Sequence, residues 1–237
     1  MSRAVGRVGL PALDLSKLEP SKPNLPKPDL PKLDLPKPDL PAVELAPALL
    51  GTMLVRELDG VRTAGRIVET EAYPGGDDLG SHSRGGRRTK RNGAMFLAGG
   101  HLYVYLIYGL HHCVNVVSGA EGEGEAVLIR AVEPIEGLEQ MRRRRGARIS
   151  DRDLCRGPGR LAQALAIDRE LDGRVLGRSS GVWLEPGSRA SEIGRTPRVG
   201  LGKVGAWADR PWRFVDLTSR HLSGPSRRRG DAAARTG

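Results

Sequence analysis

Two stretches carry the reading of the fold: Arg66-Ile-Val-Glu-Thr-Glu-Ala-Tyr73 and Leu102-Tyr-Val-Tyr-Leu-Ile-Tyr-Gly109. Both are rich in β-branched and aromatic residues and bounded by glycine, the pattern of strands. Side chains alternate along a strand, so Glu69, Glu71 and Tyr73 share one face of the first, with Val68, Thr70 and Ala72 on the other. On the second, Tyr103, Tyr105 and Ile107 face away from Leu102, Val104 and Leu106. Tyr108 falls out of phase with its neighbours and abuts Gly109, a turn residue. It is therefore expected at a hairpin tip, with its ring projecting outward.

Working outward, residues 53–58, 113–118 and 126–134 also read as strands, and the first stretch extends back to residue 63. Helices are expected at 42–50, interrupted by Pro47, at 137–145, and at 159–166 behind Gly157-Pro-Gly. Trp207 and Trp212 flank a final turn-and-strand segment ending near His221. Strand runs with a few inserted helices predict an α+β fold, a single compact domain on a curved antiparallel sheet with flanking helices. The domain is expected to span residues 42–222.

On either side lie expected tails. Residues 17–41 repeat with a period of five, in units such as Lys-Pro-Asp-Leu-Pro headed by Lys17, Lys22, Lys27, Lys32 and Lys37. Proline at this frequency blocks helix and sheet and leaves polyproline II or coil, so residues 1–41 are expected to form a disordered, semi-rigid spacer. Residues 223–237, with Ser226-Arg-Arg-Arg229, read as a basic tail.

The 237 residues carry a formal net charge of +10, which favours a polyanionic partner. The two tails hold +2 and +3 of it, leaving +5 for the domain. Cys113 and Cys155 are the only cysteines, too few for an iron–sulfur cluster or a closed zinc site by themselves. They read as reduced thiols of a cytosolic protein. No apolar run reaches the length of a membrane span, and the first residues lack the apolar core of a signal peptide.

All four tyrosines lie between positions 73 and 108, in a chain that is only 4% aromatic. The same stretch holds Glu71, His82 and the basic run Arg84-Gly-Gly-Arg-Arg-Thr-Lys-Arg91. A carboxylate, several flat π-faces and a cationic loop suit an enzyme acting on one base of a polyanion: the carboxylate does chemistry, the rings stack, and the arginines meet phosphates. Arg130, inside an otherwise apolar strand, needs a partner, expected to be Glu71 or a water. Asn115 is likewise a polar residue within an apolar strand.

The same residues carry a resemblance. Arg66–Tyr73, His82-Ser-Arg-Gly-Gly86, Arg91-Asn92, Met95-Phe96, the stretch from Leu102 to His111, Asn115-Val116, Leu128-Ile-Arg-Ala-Val-Glu-Pro134 and Leu154-Cys-Arg-Gly-Pro-Gly-Arg-Leu161 resemble, in order, the alkyladenine (3-methyladenine, methylpurine) DNA glycosylases, in a bacterial form. The similarity runs from about Leu45 to His221. Lys90 stands where the family often has proline, and the block at 177–196 matches loosely.

The resemblance implies an open, barrel-like antiparallel sheet and a monomeric, cofactor-free and metal-free enzyme without an obligate protein partner. Its substrate would be double-stranded DNA containing damaged purines, and its place the cytoplasm, at the nucleoid. It implies Glu71 as general base with Arg130 beside it, and Tyr73, His82 and Tyr105 around an extruded base. Asn115 would crowd the 2-amino group of guanine, and Tyr108 would enter the vacated gap. Arg84, Arg87, Arg88, Lys90 and Arg91 would lie along the DNA backbone. Glu69 is the alternative carboxylate. The competing readings are a non-catalytic binder of damaged or single-stranded nucleic acid and a translation-associated RNA-binding module.

Overall fold

Strand β2, Val61–Tyr73, is the spine of the protein: three other strands pair with it. A computed structural model describes residues 35–224. The repeat units before Leu35 and the basic stretch after Gly224 lie outside the described residues. Along one edge β2 pairs with β5, Glu125–Glu136. Along the other its first half pairs with β1, Met53–Leu58, and its second half with β8, Arg213–Asp216. Beyond β5 lie β4, His111–Ser118, and β3, Leu102–Ile107; beyond β1 lies β6, Val182–Glu185; and beyond β8 lies β7, Ile193–Thr196. Every pairing is antiparallel. The sheet is open rather than a closed barrel, and helices flank it, as the α+β reading expects.

The sheet forks where β2 bulges. Ile67 pairs with Val132 and Glu69 with Ala131, which leaves Val68 without a partner on β5; the next pair, Thr70 with Ile129, skips Arg130. An extra residue shifts the period-two phase of everything after it. The expected face for Val68 is thereby corrected. It packs with Ala131, Val215 and Leu222 rather than joining Ala72 in the main core. Thr70 does point to the core side, where its hydroxyl donates to the Ala46 carbonyl at 2.8 Å. The paired irregularities free Glu69, Glu71 and Arg130 to meet on the other side.

The main core fills the space between the sheet and helices α1 (Ala42–Ala48), α2 (Leu138–Arg145), α3 (Asp151–Leu154) and α4 (Pro158–Ala164). Leu45, Leu49, Leu54, Ile67, Ile129, Leu161 and Phe214 are fully or almost fully buried in it. Pro47 lies inside α1 with no amide to donate to Val43, and the helix ends one residue later at Ala48. Pro158 opens α4, a position its fixed φ suits. The packed chain begins a little before Ala42. Leu40 packs on the core, its carbonyl accepts from Gly119 N at 3.1 Å, and Pro38 lies so close to Gly99 that a Cβ there would be 2.2 Å from the Pro38 carbonyl.

Candidate active site

A cavity of about 290 Å³ opens on the tyrosine-bearing side of the sheet, at the small end of the range for ligand sites. Tyr73, His82, Tyr105, Asn115 and Arg130 all border it. They come from β2, the loop after it, β3, β4 and β5, so four strands and one loop converge on one hollow. Met95, Leu128 and the segment Val199–Leu201 also line it.

His82 and Tyr105 stand edge to face with ring centroids 4.7 Å apart, and Tyr105 stacks on Tyr103 at 5.2 Å. Tyr103 was not singled out by the sequence beyond its strand face, yet its Oη lies 2.8 Å from His82 Nδ1 and fixes the imidazole. His82 is exposed as a whole, but partial desolvation of its ring against the cavity wall, then the cations of Arg91 and Arg84, hold its pKa below the ordinary histidine value. Burial also pushes up the phenols of Tyr73 and Tyr105, with Glu71 adding to the first and Cys113 to the second. All three rings are therefore uncharged near neutral pH.

Below them sits a carboxylate pair bridged by one guanidinium. Arg130 Nε donates to Glu69 at 3.1 Å and Nη1 to Glu71 Oε2 at 3.3 Å. Both glutamates are fully buried, but their surroundings differ. Glu69 Oε1 accepts from Arg130 Nε, Arg213 Nε and Ser223 Oγ, and its Oε2 from Ser223 N. Burial alone would raise its pKa; Arg213, Arg130 and the Ser223 amide outweigh burial and keep it low. Glu71 Oε2 accepts from Tyr73 Oη and Arg130, and its Oε1 accepts from Val199 N at 2.7 Å. A carboxylate offers about four acceptor sites. Glu69 accepts four bonds, three of them crowded on Oε1, whereas Glu71 accepts three and keeps a site on Oε1, the oxygen bonded to Val199 of the cavity wall. Glu71 does not itself border the cavity; Tyr73, Arg130 and Val199, its three partners, do.

Two loops hold the walls. Arg198 and Asp78 form a fully buried bidentate pair at 2.5 and 2.7 Å that ties the loop carrying His82 to the one carrying Val199. Buried Asn92 donates to the carbonyls of His82 and Arg87, both at 2.8 Å, and so sets the course of the basic loop. Gly124 is required beside it, since a Cβ would come within 2.7 Å of the Phe96 ring.

That loop presents Arg84, Arg87, Arg88, Lys90 and Arg91 to solvent. Arg84 borders the cavity, Arg88 lies over Phe96 at 4.5 Å, and Arg91 lies by Tyr105 at 5.5 Å. In the run Arg142–Arg145, by contrast, Arg142, Arg144 and Arg145 are bonded to the protein itself, through Asp151, the Ala164 carbonyl and the Leu154 carbonyl.

Tyr108 stands at the β3–β4 tip, 85% exposed, with Leu110 beside it at 77%. Its φ is +53° and that of Gly109 is +70°. A tyrosine in the left-handed region is uncommon and costs about 1–3 kcal/mol, so an outward ring here is held against local preference. The sequence pattern does not mark Leu110 as part of the tip. Among the described residues no three His, Cys, Asp or Glu side chains converge as metal ligands.

A profile of the family described as methylpurine-DNA glycosylase matches residues 38–220. The chain belongs to that family. It is 51% identical over 183 residues to the DNA-3-methyladenine glycosylase of Mus musculus, covering 72% of this chain and 54% of that protein. Against the Homo sapiens DNA-3-methyladenine glycosylase the identity is 50% over 182 residues, with 72% and 60% covered. A protein of Encephalitozoon cuniculi named "Probable DNA-3-methyladenine glycosylase" is 46% identical over 174 residues, 72% of this chain and 83% of that one. The chain thus spans little more than half the length of its mammalian relatives.

Proposed function

We propose that this protein is a monofunctional DNA glycosylase that excises alkylated or deaminated purines, of the 3-methyladenine, 7-methylguanine, hypoxanthine and ethenoadenine class, from duplex DNA. The observation that carries it is the open acceptor site of Glu71 behind an aromatic cavity. A purine inside a duplex is beyond the reach of any side chain, so it must be extruded into such a hollow. Tyr73 on one side and His82 with Tyr105 on the other take its two faces, and stacking of this kind is worth about 1–3 kcal/mol per base. Asn115, anchored to the Tyr103 carbonyl at 2.9 Å, stands where a 2-amino group would intrude.

Water then occupies the junction of Val199, Arg130 and Glu71. Its proton goes to Glu71 Oε1, its oxygen bonds to the anomeric carbon, and the glycosidic electron pair leaves with the purine. The buried carboxylate also offsets positive charge developing on the sugar. A 3- or 7-alkylpurine already carries a positive charge and departs as a neutral base; hypoxanthine or ethenoadenine departs as its anion and takes up a proton from solvent. No lysine borders the cavity, which supports hydrolysis over Schiff-base chemistry. Tyr108 fills the gap left in the stack, and the loop of Arg84, Arg87, Arg88, Lys90 and Arg91 follows the phosphates. The test is incubation with duplex oligonucleotides carrying one defined lesion each. Free base and an abasic strand are expected; lesion binding without base release would make the protein a binder only.

A further inference from the structure

The back of the Tyr73 wall is cationic. Arg198 lies over the Tyr73 ring with Cζ 4.7 Å from the centroid, and over Trp212 at 5.0 Å. Tyr73 borders the cavity and Arg198 does not, so the guanidinium backs the ring that faces the base. It is fully buried, held by Asp78 and the Ala72 carbonyl, and its Nε finds no acceptor. The opposite wall repeats the arrangement: Arg91 lies 5.5 Å from the Tyr105 centroid and is also absent from the cavity lining.

We propose that Arg198, with Arg91, determines substrate class by weakening the attraction of the aromatic walls for a cationic base. The inference rests on the glycosylase reading. An aromatic face attracts a cation through its quadrupole. A guanidinium already stationed against the ring sets its own positive potential against a second cation, while leaving dispersion with a neutral base unchanged. At the Tyr73 hydroxyl, burial and Glu71 oppose ionisation, and the charge of Arg198 acts in the other direction. The aromatic walls therefore attract a cationic purine such as 7-methylguanine no more than a neutral one such as hypoxanthine, and the 2-amino group that meets Asn115 affects every variant alike. Any faster loss of the cationic base comes from its leaving ability.

The experiment measures binding, so that it does not depend on excision. In a Glu71→Gln background, affinities are compared for duplexes carrying one 7-methylguanine or one hypoxanthine. Arg91→Gln, at an exposed site, tests one wall; the charge-neutral pair Arg198→Gln with Asp78→Asn tests the other. Each should raise the ratio of cationic to neutral affinity by about two- to fivefold, the range of a single cation–π contact at partly screened sites. Arg198→Lys should leave the ratio unchanged. Should the double variant fail to fold, Tyr73→Leu supplies the second arm and should weaken both duplexes by the same factor. Unchanged ratios in the Arg91 and Arg198 variants, or a selective loss of the cationic lesion in Tyr73→Leu, would overturn the inference. Absence of excision by the unmutated protein, with the ratios moving as expected, would instead count only against the proposed function.

Discussion

Tyr73 Oη donates a 2.8 Å hydrogen bond to Oε2 of Glu71, two residues away on the same strand face. The ring that walls the cavity and the carboxylate behind it are therefore one unit, and the bond points Oε1 toward Val199. Tyr73→Phe should keep the stacking face and lose the alignment. Excision should fall about tenfold, the share expected of one hydrogen bond to a charged group, with lesion binding nearly unchanged. Single-turnover kinetics beside equilibrium binding would check this; an equal loss in both would mean the hydroxyl acts on the base.

Glu69 should be a residue of stability. Its carboxylate neutralises Arg130 and Arg213 in a buried setting, and Glu69→Gln leaves them short of charge. Breaking a buried pair in this way costs about 3–5 kcal/mol, which urea unfolding should show. The folded pKa lies below the unfolded one, so the stabilisation is present above about pH 4.3 and fades as pH falls through the folded value. The Gln variant should accordingly lose less stability on acidification than the unmutated protein.

His82 reports on the cavity wall. Its lowered pKa means the fold favours the neutral ring, so this contribution is complete above about pH 6.5 and declines as pH drops toward the folded value. Titration followed by NMR should find His82 protonating below free histidine, and Arg91→Gln should move it upward. A midpoint at or above the free value would show that the ring does not feel burial and the two arginines.

Tyr108→Ser should impair capture of the extruded base more than the chemistry that follows. Unstacking is least costly at a mispaired lesion, so the defect should be larger for a lesion in a well-paired duplex than for the same lesion opposite a mismatch. Excision is compared on both duplexes. Equal losses would move Tyr108 into a role in the fold.

Much of this arrangement is legible in the chain because strands translate period into geometry. Tyr103 and Tyr105 reach the cavity side because each is two residues from the next, and Tyr108 projects from the tip because it is not. The carboxylates were harder to place. Glu69 and Glu71 share a face, but which one is more heavily bonded depends on Arg213 and Ser223, the latter 154 positions from Glu69. The bulge at Val68 leaves no mark in a run of apolar and polar residues that could alternate unbroken. Strands β6 and β7 have four residues each, too short for a periodic signal. The Arg198–Asp78 clamp joins positions 120 apart, and nothing local to either announces the other.

The central claim is that Glu71 activates the water. Its most direct test is Glu71→Gln, assayed for single-turnover release of hypoxanthine and for binding to the same duplex. General-base catalysis is worth roughly 10²–10⁴-fold, so excision should fall by at least about a hundredfold while lesion binding stays near that of the unmutated protein. A variant retaining more than about a tenth of the activity would contradict the account, since no base contributing in the general-base range could be so lightly lost.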